Sequence, residues 1–184
     1  MVFQYYHGTS DIFLDSIIRK GLGGVNPTTD KGNLETLKFL YNLAEKHLIY
    51  SQEYHKLRVT TKAMVLQTTI EFESNRGKEM LNFRHNGIYI ALSEFRAIAY
   101  ACTNKYGSEI VTRSIKLMEL LESMNVDYSN PKLCIMQFEK YRKLNPKPIL
   151  IKIHFVDENY LDKEDGKTAK EALDFLRAVS PFLT

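Results

Sequence analysis

His7, Gly8 and Thr9 are consecutive residues near the start of the chain, and together they offer groups that can bind a nucleotide. An imidazole donates or accepts a hydrogen bond near neutral pH, and glycine lets a ligand approach the backbone closely. The threonine adds a hydroxyl. These groups suit the ribose hydroxyls and the carboxamide of a nucleotide. The alternative is that the tripeptide is only a turn at a strand end, in which the histidine is hydrogen-bonded within the protein.

The second feature is the segment GIYIALSEFRAIAYA, residues 87–101, which contains two tyrosines. The pattern predicts a short strand that bears Tyr89, followed by a helix that bears Tyr100. Two aromatic side chains at such a turn can enclose a flat ring, and each offset stacking contact adds about 0.5–1.5 kcal/mol beyond area burial. The alternative is that both tyrosines are core residues whose hydroxyls are hydrogen-bonded.

In this order, YHGTS and GIYIALSEFRAIAYA resemble two motifs of the ADP-ribosyltransferase superfamily, in the branch that includes the poly(ADP-ribose) polymerases and diphtheria toxin. In that branch a His-Gly-Thr/Ser strand end is followed by a Gly-x-Tyr-Phe-Ala strand and a helix with a second tyrosine. The eleven residues from Tyr89 to Tyr100 match the spacing expected for the branch. The resemblance covers about residues 1–22 and 87–106.

The resemblance implies an enzyme that binds NAD as its substrate in a split, twisted sheet with flanking helices. Nicotinamide would leave through an oxocarbenium-like transition state, and ADP-ribose would pass to a nucleic-acid or protein acceptor. By this analogy His7 binds the adenosine ribose, the Gly8 backbone holds the nicotinamide carboxamide, and Thr9 contacts the same end of the cofactor. Tyr89 and Tyr100 pack about the nicotinamide ring, and Tyr89 counts among the catalytic residues.

The chain departs from the family in two places. Ala97 stands where polymerase-like members often carry a hydroxyl that binds the carboxamide. The third motif, a glutamate that stabilises the oxocarbenium, has no clear counterpart. Glu109 is the candidate catalytic carboxylate, but it also suits the first turn of a helix, where an acidic side chain interacts favourably with the helix dipole. Glu139, Glu158 and Glu171 are the other candidates.

Stand-alone members of the superfamily are often toxins of toxin–antitoxin or antiphage systems, or secreted effectors. The resemblance therefore implies a cytoplasmic toxin whose partners are NAD, a nucleic-acid acceptor and a protein antitoxin. Residues 131–152 contain six basic side chains, with Phe138 and Tyr141 between them. Such a mixture suits single-stranded nucleic acid through phosphate contacts and base stacking. The alternative is that these residues form a solvated strand edge, whose lysines prevent it from pairing with another strand.

Two alternatives within the same fold stay open. An RNA 2'-phosphotransferase also uses NAD and also begins with a His-Gly-Thr-like motif, but it needs a set of active-site arginines. Arg84, Arg96 and Arg113 are the central candidates, and their spacing forms no convincing set. The other alternative is a catalytically inactive module that binds NAD or nucleic acid and lacks the glutamate.

Composition limits the classes of protein to which the chain can belong. A length of 184 residues, 44% of them hydrophobic, fits one domain over residues 1–184, and the net charge of +3 is weak evidence for any partner. The mixed order of the expected strands and helices indicates the α+β class. Two cysteines cannot supply a four-ligand zinc site, and the histidine spacing predicts no metal. No apolar run reaches membrane-spanning length and no signal-peptide pattern occurs, so we expect a cytoplasmic protein without membrane contact.

The elements that would position these residues follow from periodicity and capping signals. We expect a strand over residues 1–6, and then a helix that ends at Gly21. The remaining predictions are a long helix over residues 34–58, a buried strand over 87–93, helices over 93–106 and 108–124, strands over 132–138 and 149–155, and a helix over 168–179. Ser93 should cap the helix over 93–106, and the helix over 108–124 should bury Val111, Ile115, Met118 and Leu121.

Overall fold

The computed structural model describes residues 3–26, 32–75, 77–85, 87–163 and 168–179. Its helices are α1 (Leu14–Lys20), α2 (Asn33–His47), α3 (Gln52–Leu66), α4 (Glu94–Thr103), α5 (Glu109–Ser123), α6 (Ile135–Lys143) and α7 (Lys170–Val179). Its strands are β1 (Tyr5–Ser10), β2 (Thr69–Ser74), β3 (Gly77–Asn82) and β4 (Pro148–Ile153). This mixture of helices and antiparallel strands confirms the expected α+β class.

The strands form two small antiparallel sheets in the described part of the chain, β1 with β4 and β2 with β3. In the first sheet Tyr5 lies opposite Ile153 and Thr9 lies opposite Ile149. β1 starts later than the predicted strand over residues 1–6, the first two of which lie outside the described residues. The His-Gly-Thr tripeptide is therefore inside a strand rather than at its end. Helix α4 packs across this sheet and contacts both strands.

The hydrophobic core lies between the helices α2, α3, α5 and α6. All four positions predicted to be buried on the helix that became α5 are buried, namely Val111, Ile115, Met118 and Leu121. Full burial of one such side chain stabilises the fold by roughly 1.5–3 kcal/mol. Helical periodicity was sufficient to identify this face because one continuous apolar stripe meets the core.

The predicted long helix over residues 34–58 is wrong, because the chain turns between α2 and α3. The Ser51 hydroxyl accepts a hydrogen bond from the Tyr54 backbone N–H at 3.3 Å and caps α3. The turn brings Arg58 back to Glu45, where its Nε and Nη2 lie 2.8 Å from the two carboxylate oxygens. Two packed helices bury both apolar stripes, which a single straight helix of this length cannot do.

The predicted strand over residues 132–138 is also wrong, since this segment enters α6. Phe138 is fully buried, and the ring of Tyr141 stacks on it with centroids 6.5 Å apart. Ile135, Phe138 and Tyr141 share one face at a spacing of three residues, which is a helical period. The strand prediction followed the β-prone composition of the segment, and tertiary packing selected the helix instead.

Residues 87–93, predicted as a buried strand, form no regular strand. Their pairing with β1 is a single bridge between Ala91 and Tyr6, and both Ile88 and Leu92 are exposed. β4 occupies one edge of β1, so this segment can only meet the other edge, and it does so at one residue. The following helix is as predicted at its start, since the Ser93 hydroxyl accepts from the Arg96 backbone N–H and caps α4.

Several other predictions are confirmed. Gly21 ends α1 with a φ of 80°, a conformation that favours glycine. β4 matches the predicted strand over 149–155. The helices predicted over 108–124 and 168–179 correspond to α5 and α7, and their described ends agree to within two residues. None of the helices in the described ranges combines the length and the hydropathy needed to cross a bilayer.

Candidate functional site

The free edge of β1 carries the backbone groups of Gly8. Tyr6 exchanges both of its backbone hydrogen bonds with Ala91, each 2.8 Å long. Antiparallel pairing alternates, so Tyr6, and Gly8 two residues later, direct N–H and C=O away from β4. The Asp11 N–H donates to the Lys147 carbonyl at 3.0 Å, which agrees with this alternation because odd-numbered residues of β1 then face β4. The N–H and C=O of Gly8 therefore face the edge at which Ala91 lies.

The chain segment opposite Gly8 diverges from the strand. Continued pairing beyond Tyr6 and Ala91 would place Tyr89 opposite Gly8. Within the described ranges no such second bridge forms, and the Tyr89 carbonyl accepts instead from the His7 Nδ1, at 2.8 Å. Among the described residues the N–H and C=O of Gly8 consequently have no hydrogen-bond partner where β1 meets residues 87–89, and Gly8 itself is buried. We call this place the β1 edge site.

Helix α4 covers the other side of Gly8. A Cβ atom at residue 8 would lie 1.9 Å from the Ala97 carbonyl oxygen and 3.2 Å from the Ala101 Cβ. No side chain fits there without a shift of backbone, so packing against α4 by itself requires glycine at this position. Ala97 is buried in the same contact, at the position where the family often carries a hydroxyl.

His7 is half-buried and its ring orientation follows from its hydrogen bond. Nδ1 must carry the proton that is donated to the Tyr89 carbonyl, which leaves Nε2 of the neutral ring as an acceptor. Burial lowers the pKa of His7 below its ordinary value, and the bond to Tyr89 opposes this only in part. At neutral pH His7 is therefore an uncharged group that can accept a hydrogen bond from a ligand hydroxyl.

The two tyrosines of the sequence motif share one neighbourhood. Tyr89 is 39% exposed, and its hydroxyl accepts from the Asn82 Nδ2 at 3.1 Å and donates to the Arg84 carbonyl. Burial raises the pKa of Tyr100, and the nearby Glu109 carboxylate and Tyr89 raise it further. A hydrogen bond from the Glu109 backbone N–H lowers this pKa in part. Tyr100 is thus a neutral phenol near the Glu109 carboxylate and near Tyr89.

Glu109 reaches this neighbourhood from the first residue of α5. Its Oε2 lies 3.0 Å from the His85 Nε2, and the side chains are 29% and 11% exposed respectively. The Thr9 hydroxyl donates to the Gly107 carbonyl at 3.3 Å and ties the start of α5 to β1. Glu109 therefore occupies the first turn of the helix, as the alternative explanation predicted, and also lies near Tyr100.

Thr9 has a different position from the one that the resemblance implied. It is 2% exposed, and its hydroxyl is already bonded to the Gly107 carbonyl. Because the hydroxyl proton is donated to Gly107, this group can meet a ligand only as a hydrogen-bond acceptor. Thr9 contributes to the site by holding α5 against β1.

The other candidate glutamates are engaged elsewhere. Glu139 accepts from the Tyr128 hydroxyl at 2.8 Å, on the far side of α6. Both carboxylate oxygens of Glu158 lie 2.6 Å from the Arg177 Nη2. Glu171 is in the first turn of α7. Among the four glutamates considered, the structure brings only the first residue of α5 to the tyrosines.

Sequence reasoning missed two residues that support Glu109. His85 was considered only as a metal ligand, and Gln67 was not considered. Gln67 ends α3 in a left-handed conformation with a φ of 49°, and its Oε1 accepts from the His85 backbone N–H at 2.8 Å. No local pattern predicts this pair, because its two members meet only where the β2–β3 hairpin returns to the end of α3.

Two alternatives lose support from the packing. Phe138 and Tyr141 are occupied in the core and in a mutual stack, so this pair does not present two free faces for nucleic-acid bases. The Arg113 Nη1 bonds to the Leu57 carbonyl and to the Thr60 and Thr61 hydroxyls at 2.6–3.0 Å. This guanidinium is held by α3, which removes a central member of the arginine set that a 2'-phosphotransferase needs.

Among the described residues, no group of three or more His, Cys, Asp or Glu side chains is arranged to hold a metal ion. Comparisons with protein-family models, with curated proteins and with solved structures find no match for this chain.

Proposed function

We propose that this protein is an NAD-dependent ADP-ribosyltransferase with an ADP-ribosyltransferase-like fold, in which β1 lines the NAD cleft. The observation that carries the proposal is that the N–H and C=O of Gly8, at the β1 edge site, have no hydrogen-bond partner among the described residues. Tyr89 lies at this edge, and Tyr100 lies near both Tyr89 and Glu109. A primary carboxamide has one carbonyl acceptor and an NH₂ donor. It therefore complements the two backbone groups of a single residue, and nicotinamide carries such a carboxamide.

In the proposed complex the nicotinamide ring of NAD lies against Tyr89 and Tyr100. The pyridinium ring is positively charged, and neutral aromatic faces attract a cation. Burial and the nearby carboxylate keep the phenol of Tyr100 protonated, so it brings no competing negative charge. His7 accepts a hydrogen bond from a ribose hydroxyl through Nε2, which needs the neutral ring that burial favours.

Glu109 supplies the charge stabilisation. As the bond between ribose C1′ and the nicotinamide nitrogen breaks, its electron pair leaves with nicotinamide and positive charge develops on the ribose. A carboxylate fixed beside that position lowers the barrier because it is oriented before the reaction. The acceptor then donates an electron pair to C1′ and loses its proton to solvent.

The proposal extends to the partners. In keeping with stand-alone members of that superfamily, the protein acts in the cytoplasm as a toxin or effector on a nucleic-acid or protein acceptor. A cell that makes such a toxin needs a neutralising protein, which would be its antitoxin. These parts of the proposal depend on the resemblance and not on the geometry of the β1 edge site.

The test is release of nicotinamide from NAD labelled in the nicotinamide ring, measured with RNA, with protein and with water alone as acceptor. We expect release by the unaltered protein, loss of release in His7→Ala, and unchanged release in His55→Ala. His55 is an exposed histidine on α3 and serves as the matched control. Full turnover by His7→Ala, or no release by the unaltered protein with any acceptor, would contradict the proposal.

A further inference from the structure

The side chains of Glu109, His85 and Gln67 form a hydrogen-bonded chain. The His85 ring joins Glu109 to Gln67, with 3.0 Å between its Nε2 and the Glu109 Oε2 and 3.2 Å between its Nδ1 and the Gln67 Nε2. The His85 ring is nearly buried. The hydrogen-bonded chain runs from the end of α3, through a residue three positions after β3, to the first residue of α5.

The surroundings of Gln67 determine the orientation of its amide. Its Nε2 donates to the Met64 carbonyl at 2.5 Å, and its Oε1 accepts from the His85 backbone N–H at 2.8 Å. A carbonyl cannot accept from an amide oxygen, and an N–H cannot donate to an amide nitrogen, so both contacts require the same orientation. The Gln67 NH₂ therefore faces the His85 Nδ1.

This orientation determines the tautomer of His85. An NH₂ group only donates, so Nδ1 must be the acceptor and the proton of the neutral ring is on Nε2. Nε2–H then donates to the Glu109 Oε2. A neutral donor holds the carboxylate without cancelling its charge, whereas a cation bound at the same oxygen would weaken any stabilisation of an oxocarbenium.

The charged groups around Glu109 are compatible with this arrangement. Arg113, one turn later on α5, is near enough for Glu109 to raise its pKa, but burial lowers it and its hydrogen bonds go to α3. Tyr100 faces Glu109 from α4 as a neutral phenol. The nearest hydrogen-bonded partner of the carboxylate among the described residues is thus an uncharged imidazole.

We infer that His85, oriented by Gln67, is a positioning residue that presents Glu109 to the ribose of NAD, an inference that rests on the proposed function. A glutamate side chain has several rotatable bonds, and anchoring one oxygen leaves the other in a defined place for the reacting carbon. His85 and the β1 edge site therefore have different roles, in the chemical step and in NAD binding respectively. Loss of His85 affects the chemical step, while the groups at the β1 edge site that bind NAD are unchanged.

The first experiment measures kcat and KM for nicotinamide release. In His85→Ala we expect kcat to fall by about 100-fold and KM for NAD to change by less than about threefold, because a small displacement of a catalytic group has an effect of that order. His85→Gln, which retains an N–H donor, should recover part of the lost kcat. His55→Ala is the control, and thermal melting establishes that each variant is folded. A folded His85→Ala protein with unchanged kcat overturns the inference.

The second experiment does not depend on activity. The nitrogen-15 chemical shifts of the His85 ring should show a protonated Nε2 and an unprotonated Nδ1, and Gln67→Glu should protonate Nδ1 as well. A ring protonated on Nδ1 in the unaltered protein overturns the inference, whatever the turnover. A different outcome is that the unaltered protein shows the expected tautomer but releases no nicotinamide. That result rejects the proposed function and the positioning role with it, while the hydrogen-bonded chain itself stands.

Discussion

The helical core and the β1 edge site are held together by different kinds of contact. The core is a set of fully buried aliphatic and aromatic side chains on α2, α3, α5 and α6, each replaceable only by a group of similar volume. The edge site consists of single hydrogen bonds between distant residues, such as His7 with Tyr89 and His85 with Glu109. Substitutions in the core should therefore change stability, and substitutions at the site should change chemistry.

The largest effect on stability should come from the core. Phe138→Ala removes a fully buried ring and is expected to reduce the free energy of unfolding by roughly 3–5 kcal/mol, because a cavity is left where the ring packs on Tyr141. Denaturant unfolding measures this loss. Nicotinamide release per folded molecule should be unchanged, and a specific loss of turnover in the folded fraction would break the distinction between the two regions.

Glu109→Gln should give the opposite result. The amide keeps an oxygen that can accept from His85 but removes the negative charge, so we expect kcat to fall about 10²- to 10³-fold. The midpoint of thermal unfolding should change little, since the side chain is partly exposed and no cavity forms. Steady-state kinetics and thermal melting of the same sample test both statements, with Glu119→Gln on the outer face of α5 as the control.

Gly8→Ala is the substitution that joins the two regions. Its methyl group would meet the Ala97 carbonyl oxygen, so α4 must shift, and overpacking of this kind costs roughly 1–3 kcal/mol. The shift should also raise KM for NAD, because the same residue offers its backbone to the carboxamide. Gly87→Ala has open space around the added methyl and is the matched control. Equal stability of the two variants would mean that α4 does not approach β1 so closely.

The smallest effect should be a pH dependence of stability that comes from His7. Its pKa is lowered from 6.5 in the folded state, so between the folded and unfolded pKa values the unfolded chain binds more protons. Stability from this group is present above about pH 6.5 and is lost as the pH falls. In His7→Asn this part of the loss should disappear. Thermal melting of both proteins from about pH 7.5 to about pH 5 measures it, and parallel curves would show that burial does not perturb the ring.

Local patterns predicted the core better than the site. The apolar stripe of α5 and the serine cap of α4 are both readable from neighbouring residues, and both predictions are confirmed. The segments over 34–58 and 132–138 were assigned wrongly, because a turn capped by Ser51 and the packing of Phe138 decided their conformations. Propensity is a weak guide where tertiary contacts compete with it.

At the site, sequence predicted residues but not their contacts. It singled out His7 and Tyr89 through the two motifs and gave Glu109 as one of four candidate carboxylates. In the structure His7 bonds to the Tyr89 carbonyl, and Glu109 lies near Tyr100. It missed Gln67 and His85, since a glutamine at a helix end and a histidine in a loop have no distinctive local pattern.

The sequence by itself indicated the helices α4, α5 and α7 and the apolar face of α5, and it showed that a histidine, two tyrosines and a set of carboxylates were available for chemistry. Only the tertiary structure decided that the N–H and C=O of Gly8 face away from β4 and have no partner among the described residues, and which carboxylate lies near Tyr100. The physical reason is the range of the contacts. Helical periodicity and capping act over a few residues, whereas the bond from His7 to Tyr89 joins positions 82 residues apart.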